Sequence, residues 1–203
     1  MRGANGSLIT SNDDWVDSPQ RAQIEGTVYE PESDLESVIL ATLPPGAYTA
    51  ILSGKNQTAG VGVVEVYDND QAADSALANI STRGFIQTGD NVMIGGFMLG
   101  NNPTNTRIAI RGLGPTLSQF GVTNVLEDPT LELRNENGTL LVSNDNWQDD
   151  PASAAQLTAN GLAPQNNLES GIFAALPPGA FTAILAGKGA TTGVGLIEVY
   201  NLK

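Results

Sequence analysis

The sequence contains no cysteine and no histidine. The first absence removes disulfides and thiolate chemistry. The second removes the imidazole on which Ser-His-Asp and Cys-His nucleophile systems depend, and with it the usual ligand of zinc and copper sites. Basic residues are also scarce, 9 Lys and Arg against 22 Asp and Glu. They are scattered, with Lys55, Arg83, Arg107, Arg111, Arg134 and Lys188 forming no patch, so phosphate-rich partners are excluded and no nucleic acid is expected. No apolar run approaches the length of a transmembrane helix, so no membrane span is expected. No apolar core follows Met1-Arg2-Gly3-Ala4-Asn5, so these residues do not begin a signal peptide, and any export signal is expected on a longer parent or already removed.

What remains is aliphatic, glycine-rich and acidic. Val, Ile, Leu and Thr fall in short runs separated by Gly, Asn, Asp and Pro, the texture of many short strands joined by tight turns. Self-similarity is the strongest signal. Residues 2–19 read RGANGSLITSNDDWVDSP and residues 134–151 read RNENGTLLVSNDNWQDDP. After a one-residue slip, LESVILATLPPGAYTAILSGKNQTAGVGVVEVY (35–67) matches LESGIFAALPPGAFTAILAGKGATTGVGLIEVY (168–200). Roughly half the aligned positions are identical, at a domain-sized period of about 132 residues, well above that of solenoid repeats. Residues 1–70 therefore read as the C-terminal half of a repeat unit and residues 75–203 as a complete one, with Asp68 to Asp74 as the junction. Arg2 aligns inside a strand whose first residues have no counterpart. The whole reads as the C-terminal piece of a longer tandem array.

The complete unit yields about eight strands, near 78–87, 92–99, 106–113, 131–134, 139–143, 168–176, 180–186 and 193–200. Asn137-Gly138 signals a tight hairpin, and Pro177-Pro178-Gly179 forces a turn. One helix is expected over Pro151–Ala159, capped by Asp149 or Asp150. The fold class is all-β, an antiparallel β-sandwich of jelly-roll or immunoglobulin-like type in one and a half tandem units. The half-unit, lacking its upstream strands, is expected to carry open sheet edges that pair with another copy of the chain, as a dimer or larger oligomer.

The acidic loop is the leading site candidate. Asp13, Asp14 and Asp17 recur as Asp145, Asn146 and Asp149, and alternating Asp and Asn can supply several of the six to eight oxygens that Ca2+ requires. The spacing is not that of an EF-hand, and the same residues favour turns and helix caps. Trp15 and Trp147, the only tryptophans, sit in this loop, where each could stack on a sugar ring or plug the end of the sandwich. Paired carboxylates suit a glycosidase, but Glu36, Glu65, Glu169 and Glu198 all recur with the repeat and read equally well as fold features, such as a carboxylate buried against backbone amides. Ser37 and Ser170 have no histidine to activate them, which leaves only a Ser-Lys arrangement with Lys55 or Lys188. The glycine motifs match neither a dinucleotide fingerprint nor a P-loop.

The phrases ANISTRGFIQTGDNVMIGGFMLG (78–100), RIAIRGLGPTLSQFGV (107–122), SNDNW (143–147) and LPPGAFTAILAGKGATTGVGLIEVY (176–200) resemble a tandem repeat common near the C-termini of large secreted proteins from environmental bacteria. The later half also resembles, distantly, the pre-peptidase C-terminal type of β-sandwich. The resemblance implies an extracellular or cell-surface accessory module, and at Asp145, Asn146 and Asp149 it implies a calcium site. The expected function is a non-catalytic repeat for adhesion, surface display or assembly. A calcium-dependent carbohydrate-binding module with polysaccharide as partner is the second reading, and a carboxylate hydrolase the third.

Overall fold

The structure, a computed structural model, describes residues 1–69, 77–100 and 104–202. The chain divides into two units, Met1–Ser75 and Ala76–Lys203. The expected junction at Asp68 to Asp74 falls largely outside the described residues.

In the first unit regular structure is sparse: β1 (Arg2–Gly3), α1 (Arg21–Ile24) and β2 (Tyr48–Thr49), with two single-turn 3-10 segments. The second unit carries β3 (Asn79–Ile86), β4 (Met93–Leu99), β5 (Thr106–Leu113), β6 (Pro129–Asn135), β7 (Leu140–Asn144), α2 (Pro151–Ala159), β8 (Ser170–Leu176), β9 (Gly179–Gly187) and β10 (Gly193–Leu202). The expected strands fall where the alternation and turn residues place them. Gly138 takes the positive φ that the β6–β7 hairpin requires. Asp150 caps α2 by accepting from the Ala152 and Ser153 amides at 3.0 and 3.3 Å.

The second unit is an all-β sandwich of two antiparallel four-stranded sheets, ordered β3-β10-β5-β8 and β4-β9-β6-β7. First strand pairs with last, second with seventh, third with sixth and fourth with fifth, which is the wrapping of a jelly roll. Both inner faces are aliphatic, and Ile86, Ile108, Ile110, Leu131, Leu133, Leu185 and Ile197 interdigitate as one buried core. Gly112 lets the sheets approach there, since a Cβ at that position would lie 2.6 Å from Leu185 Cδ1.

This order has a consequence for the repeat. Strands β7 to β10, the second half of the unit, are nowhere hydrogen-bonded to one another as neighbours; each lies only against strands from β3 to β6. Residues 1–69 hold counterparts of β7 to β10 and only the end of β6. They accordingly form almost no sheet, rather than the open-edged sheet expected from the sequence. The single surviving ladder is in the native register: Arg2 pairs Thr49 and Gly3 pairs Tyr48, as Arg134 pairs Thr182 and Asn135 pairs Phe181 in the complete unit.

Candidate functional site

The acidic loop of the complete unit runs from the end of β7 to α2. Asn144 staples it to β8, accepting from the Gly171 amide at 2.8 Å through Oδ1 and donating through Nδ2 to the Asn146 carbonyl at 2.9 Å. The Trp147 amide donates to the Glu169 carbonyl at 2.8 Å. Asp145 is thereby held facing the turn after β9, where Lys188 Nζ lies 2.5 Å from Asp145 Oδ2 and 3.6 Å from Asp128 Oδ2. The Asp145 hydrogen bond raises the Lys188 ammonium above the usual lysine range, helped by the two negative charges and opposed by desolvation. Asn146 Nδ2 donates to Asp149 Oδ2 at 3.2 Å, so Asp149 closes the turn from the other side.

The half-unit reproduces this corner without its sheets. Asn12 donates to the Asp14 carbonyl at 3.0 Å and accepts from the Val38 amide at 2.9 Å. The Trp15 amide donates to the Glu36 carbonyl at 2.7 Å, and the Asp17 amide to the Asp14 carbonyl at 3.1 Å. Lys55 Nζ lies 2.6 Å from Asp13 Oδ2 and 3.4 Å from Asp14 Oδ2, and its hydrogen bond to Asp13 raises its pKa as well. The loop geometry is thus encoded locally, and in both copies a lysine ammonium meets the first aspartate.

Among the described residues, no group of three or more carboxylates is arranged to hold a metal ion. Two side-chain oxygens of the complete loop, Asp145 Oδ1 and Asn146 Oδ1, are nevertheless buried without a donor, as is Asp128 Oδ1 just before β6. An open groove of about 420 Å³ is lined by Asp145 together with Thr130, Glu132, Ser143, Asp149 and Asp150 among others. Trp15 is 3% exposed, with the Arg21 guanidinium 5.7 Å from its ring centre. Trp147 is half-buried, and both indole N–H groups are buried without an acceptor.

The recurrent glutamates of the complete unit are engaged in the fold. Glu169 is fully buried. Its Oε1 accepts from the Gly114 and Thr116 amides at 3.1 and 2.9 Å, and its Oε2 from the Thr116 hydroxyl at 2.7 Å and the Asn166 amide at 3.3 Å. Glu198 lies in one row across three strands, with Ser81 opposite on β3 and Arg111 opposite on β5. Arg111 Nε and Nη2 donate to Glu198 Oε2 at 2.8 and 2.5 Å, while Ser81 and Tyr200 donate to Oε1 at 3.1 and 3.0 Å. Burial and the Glu198 charge raise the Tyr200 phenol above its ordinary pKa. Ser170 is buried with an unpartnered hydroxyl, whereas Ser37 donates to the Asp13 carbonyl at 2.6 Å.

Asp128 and Arg111 were not singled out for a site from the sequence, and Lys55 and Lys188 were considered only as partners of Ser37 and Ser170, not of the aspartates they meet. The lysines carried a signal, since each recurs with its aspartate in both copies. No family model matches the chain, and no curated protein matches it. Among solved structures, the chain is similar to the pre-peptidase C-terminal domain of a collagenase from Bacillus anthracis, at 16% identity and a TM-score of 0.35, covering 60% of this chain and 88% of that one.

Proposed function

We propose that this chain is a non-catalytic accessory β-sandwich repeat of an exported protein, used for adhesion, surface display or assembly. One observation carries the reading: the recurrent polar groups of the complete unit hold its own strands together. Glu169 is saturated by four donors, Glu198 is locked to Arg111, and Lys188 is clamped between Asp145 and Asp128. A general acid or nucleophile needs a carboxylate facing a substrate, and these face backbone and partner side chains. The likeness of its phrases to repeats of large secreted proteins supports export. No helix among the described residues is long and apolar enough to cross a membrane. The test is a turnover screen on glycosides, esters and peptides. The reading expects no activity lost on Glu169→Gln or Glu198→Gln; turnover abolished by either change with the fold retained overturns it.

A second reading, calcium-dependent carbohydrate binding, is favoured by the three donorless oxygens of Asp128, Asp145 and Asn146 and by the groove that Asp145 lines. Carboxylate and amide oxygens are the donors Ca2+ prefers. In this reading the ion would take the place of the Lys188 ammonium, with Asp149, and in the half-unit Asp13, Asp14 and Asp17, as further ligands. Trp147 would offer a face to a polysaccharide, and Trp15 would do so only after leaving its buried position. Melting curves with calcium and with chelator decide it. A rise with calcium that Asp145→Ala removes supports the site, and identical curves reject it.

A further inference from the structure

We infer that residues 35–67 form an acceptor surface for a four-strand segment of the β3–β6 type, that is, for the N-terminal half of another copy of this repeat. The inference deepens the assembly reading above and rests on it. In the complete unit every strand of the second half finds its sheet partners in the first half, so the second half alone specifies which segment it needs. The apolar residues that would meet that segment are exposed. Leu52, the counterpart of fully buried Leu185, is 53% exposed, and Val64, the counterpart of Ile197, is 51% exposed. Ile39, Leu43 and Val66, counterparts of the core residues Ile172, Leu176 and Val199, are exposed as well.

Three features show an acceptor already set in register. The Arg2–Thr49 and Gly3–Tyr48 pairs reproduce the end of the β6–β9 ladder. The corner of Asn12, Asp13, Lys55 and Val38 matches that of Asn144, Asp145, Lys188 and Gly171. Glu36 and Glu65 stand where Glu169 and Glu198 stand, yet they lack the donors that the first half supplies. Glu36 accepts only a long 3.4 Å contact from the Ser33 amide, and Glu65 accepts from the Tyr67 hydroxyl at 3.0 Å. The missing donors correspond to Ser81 on β3 and to Gly114, Thr116 and Arg111, the last three within one short stretch, Arg111-Gly112-Leu113-Gly114-Pro115-Thr116. A β3–β6 segment, which bears all four, would satisfy both carboxylates and bury the aliphatic face together. This is strand addition with specificity set by buried charge. The chain's own β3–β6 are engaged with β7–β10, so the occupant is the first half of a different unit, one not already paired with a second half of its own.

The test co-refolds the full chain with a separate polypeptide of residues 77–135 and reads amide hydrogen exchange. The expected result is slowing of exchange across residues 35–67 by at least about tenfold, weakened when the added polypeptide carries Arg111→Met. Unchanged exchange at 35–67 overturns the inference. So does added protection confined to 168–200, or protection of 35–67 in the chain alone at dimeric mass, which would make a second whole copy the occupant. A second arm places residues 77–133 ahead of Arg2 in one polypeptide. A second cooperative unfolding transition is expected, and a single transition unchanged from the parent chain overturns the inference. Failure here leaves the accessory reading of the complete unit standing, whereas failure of that reading appears separately as turnover.

Discussion

Lys188 Nζ contacts Asp145 Oδ2 at 2.5 Å, and at the aligned positions of the earlier copy Lys55 Nζ contacts Asp13 Oδ2 at 2.6 Å. The same pair survives whether or not a sheet surrounds it. Local chain geometry, from the Asn12 and Asn144 staples and the turns at Lys55 and Lys188, is therefore sufficient to form it.

The pair sets an alkaline dependence. The folded pKa of Lys188 is raised, so its contribution is complete below the ordinary lysine value near 10.5 and is lost as pH rises through the raised value. Tyr200 is also raised and acts in the same direction from about pH 10. Melting temperature is expected to fall above about pH 10. Lys188→Met should lower it at pH 8 and shrink the alkaline drop, while Lys188→Arg keeps the neutral-pH value. An identical pH profile for Lys188→Met and the parent removes the pair from the account.

Glu169→Ala strips four donors of their acceptor, three of them the Gly114 amide, the Thr116 amide and the Thr116 hydroxyl in a buried site. Unsatisfied buried groups of this kind cost about 3–5 kcal/mol in total. Urea unfolding of the complete unit should show that loss. Glu36→Ala, at the exposed counterpart, should leave the same curve unchanged.

Arg111→Met leaves Glu198 nearly buried without its cation and is expected to cost about 3–5 kcal/mol. Replacing both, Arg111→Met with Glu198→Leu, should recover most of it, because neither charge is then stranded. A double variant no better than the single one would show that the row of Ser81, Glu198 and Arg111 packs by shape rather than charge.

Local signals carried much of this fold. Strand positions follow from period-two alternation, the β6–β7 turn from Asn137-Gly138, and the α2 start from Asp150 before Pro151. Pairing order was not legible, because which strand lies beside β10 depends on contacts such as Glu198 with Arg111, 87 residues apart. For the same reason the half-unit reads as strands from its sequence and keeps only the two-residue β1 and β2 in the structure: alternation reports what a segment does when partnered. In the candidate site, the recurrence of Asp13 and Asp145 was visible. Lys55 and Lys188 recur with them, but the contact depends on how the turn bearing each lysine folds back over the loop, which recurrence alone does not specify.

The central claim is that second-half strands of this repeat form sheets only against first-half strands. Hydrogen exchange on the intact chain tests it most directly, because residues 47–53 (AYTAILS) and 180–186 (AFTAILA) are nearly the same sequence in two environments. The account expects fast exchange in the first and protection near the global unfolding limit in the second, where β9 lies between β4 and β6. Equal protection of the two segments in the monomeric chain would contradict it.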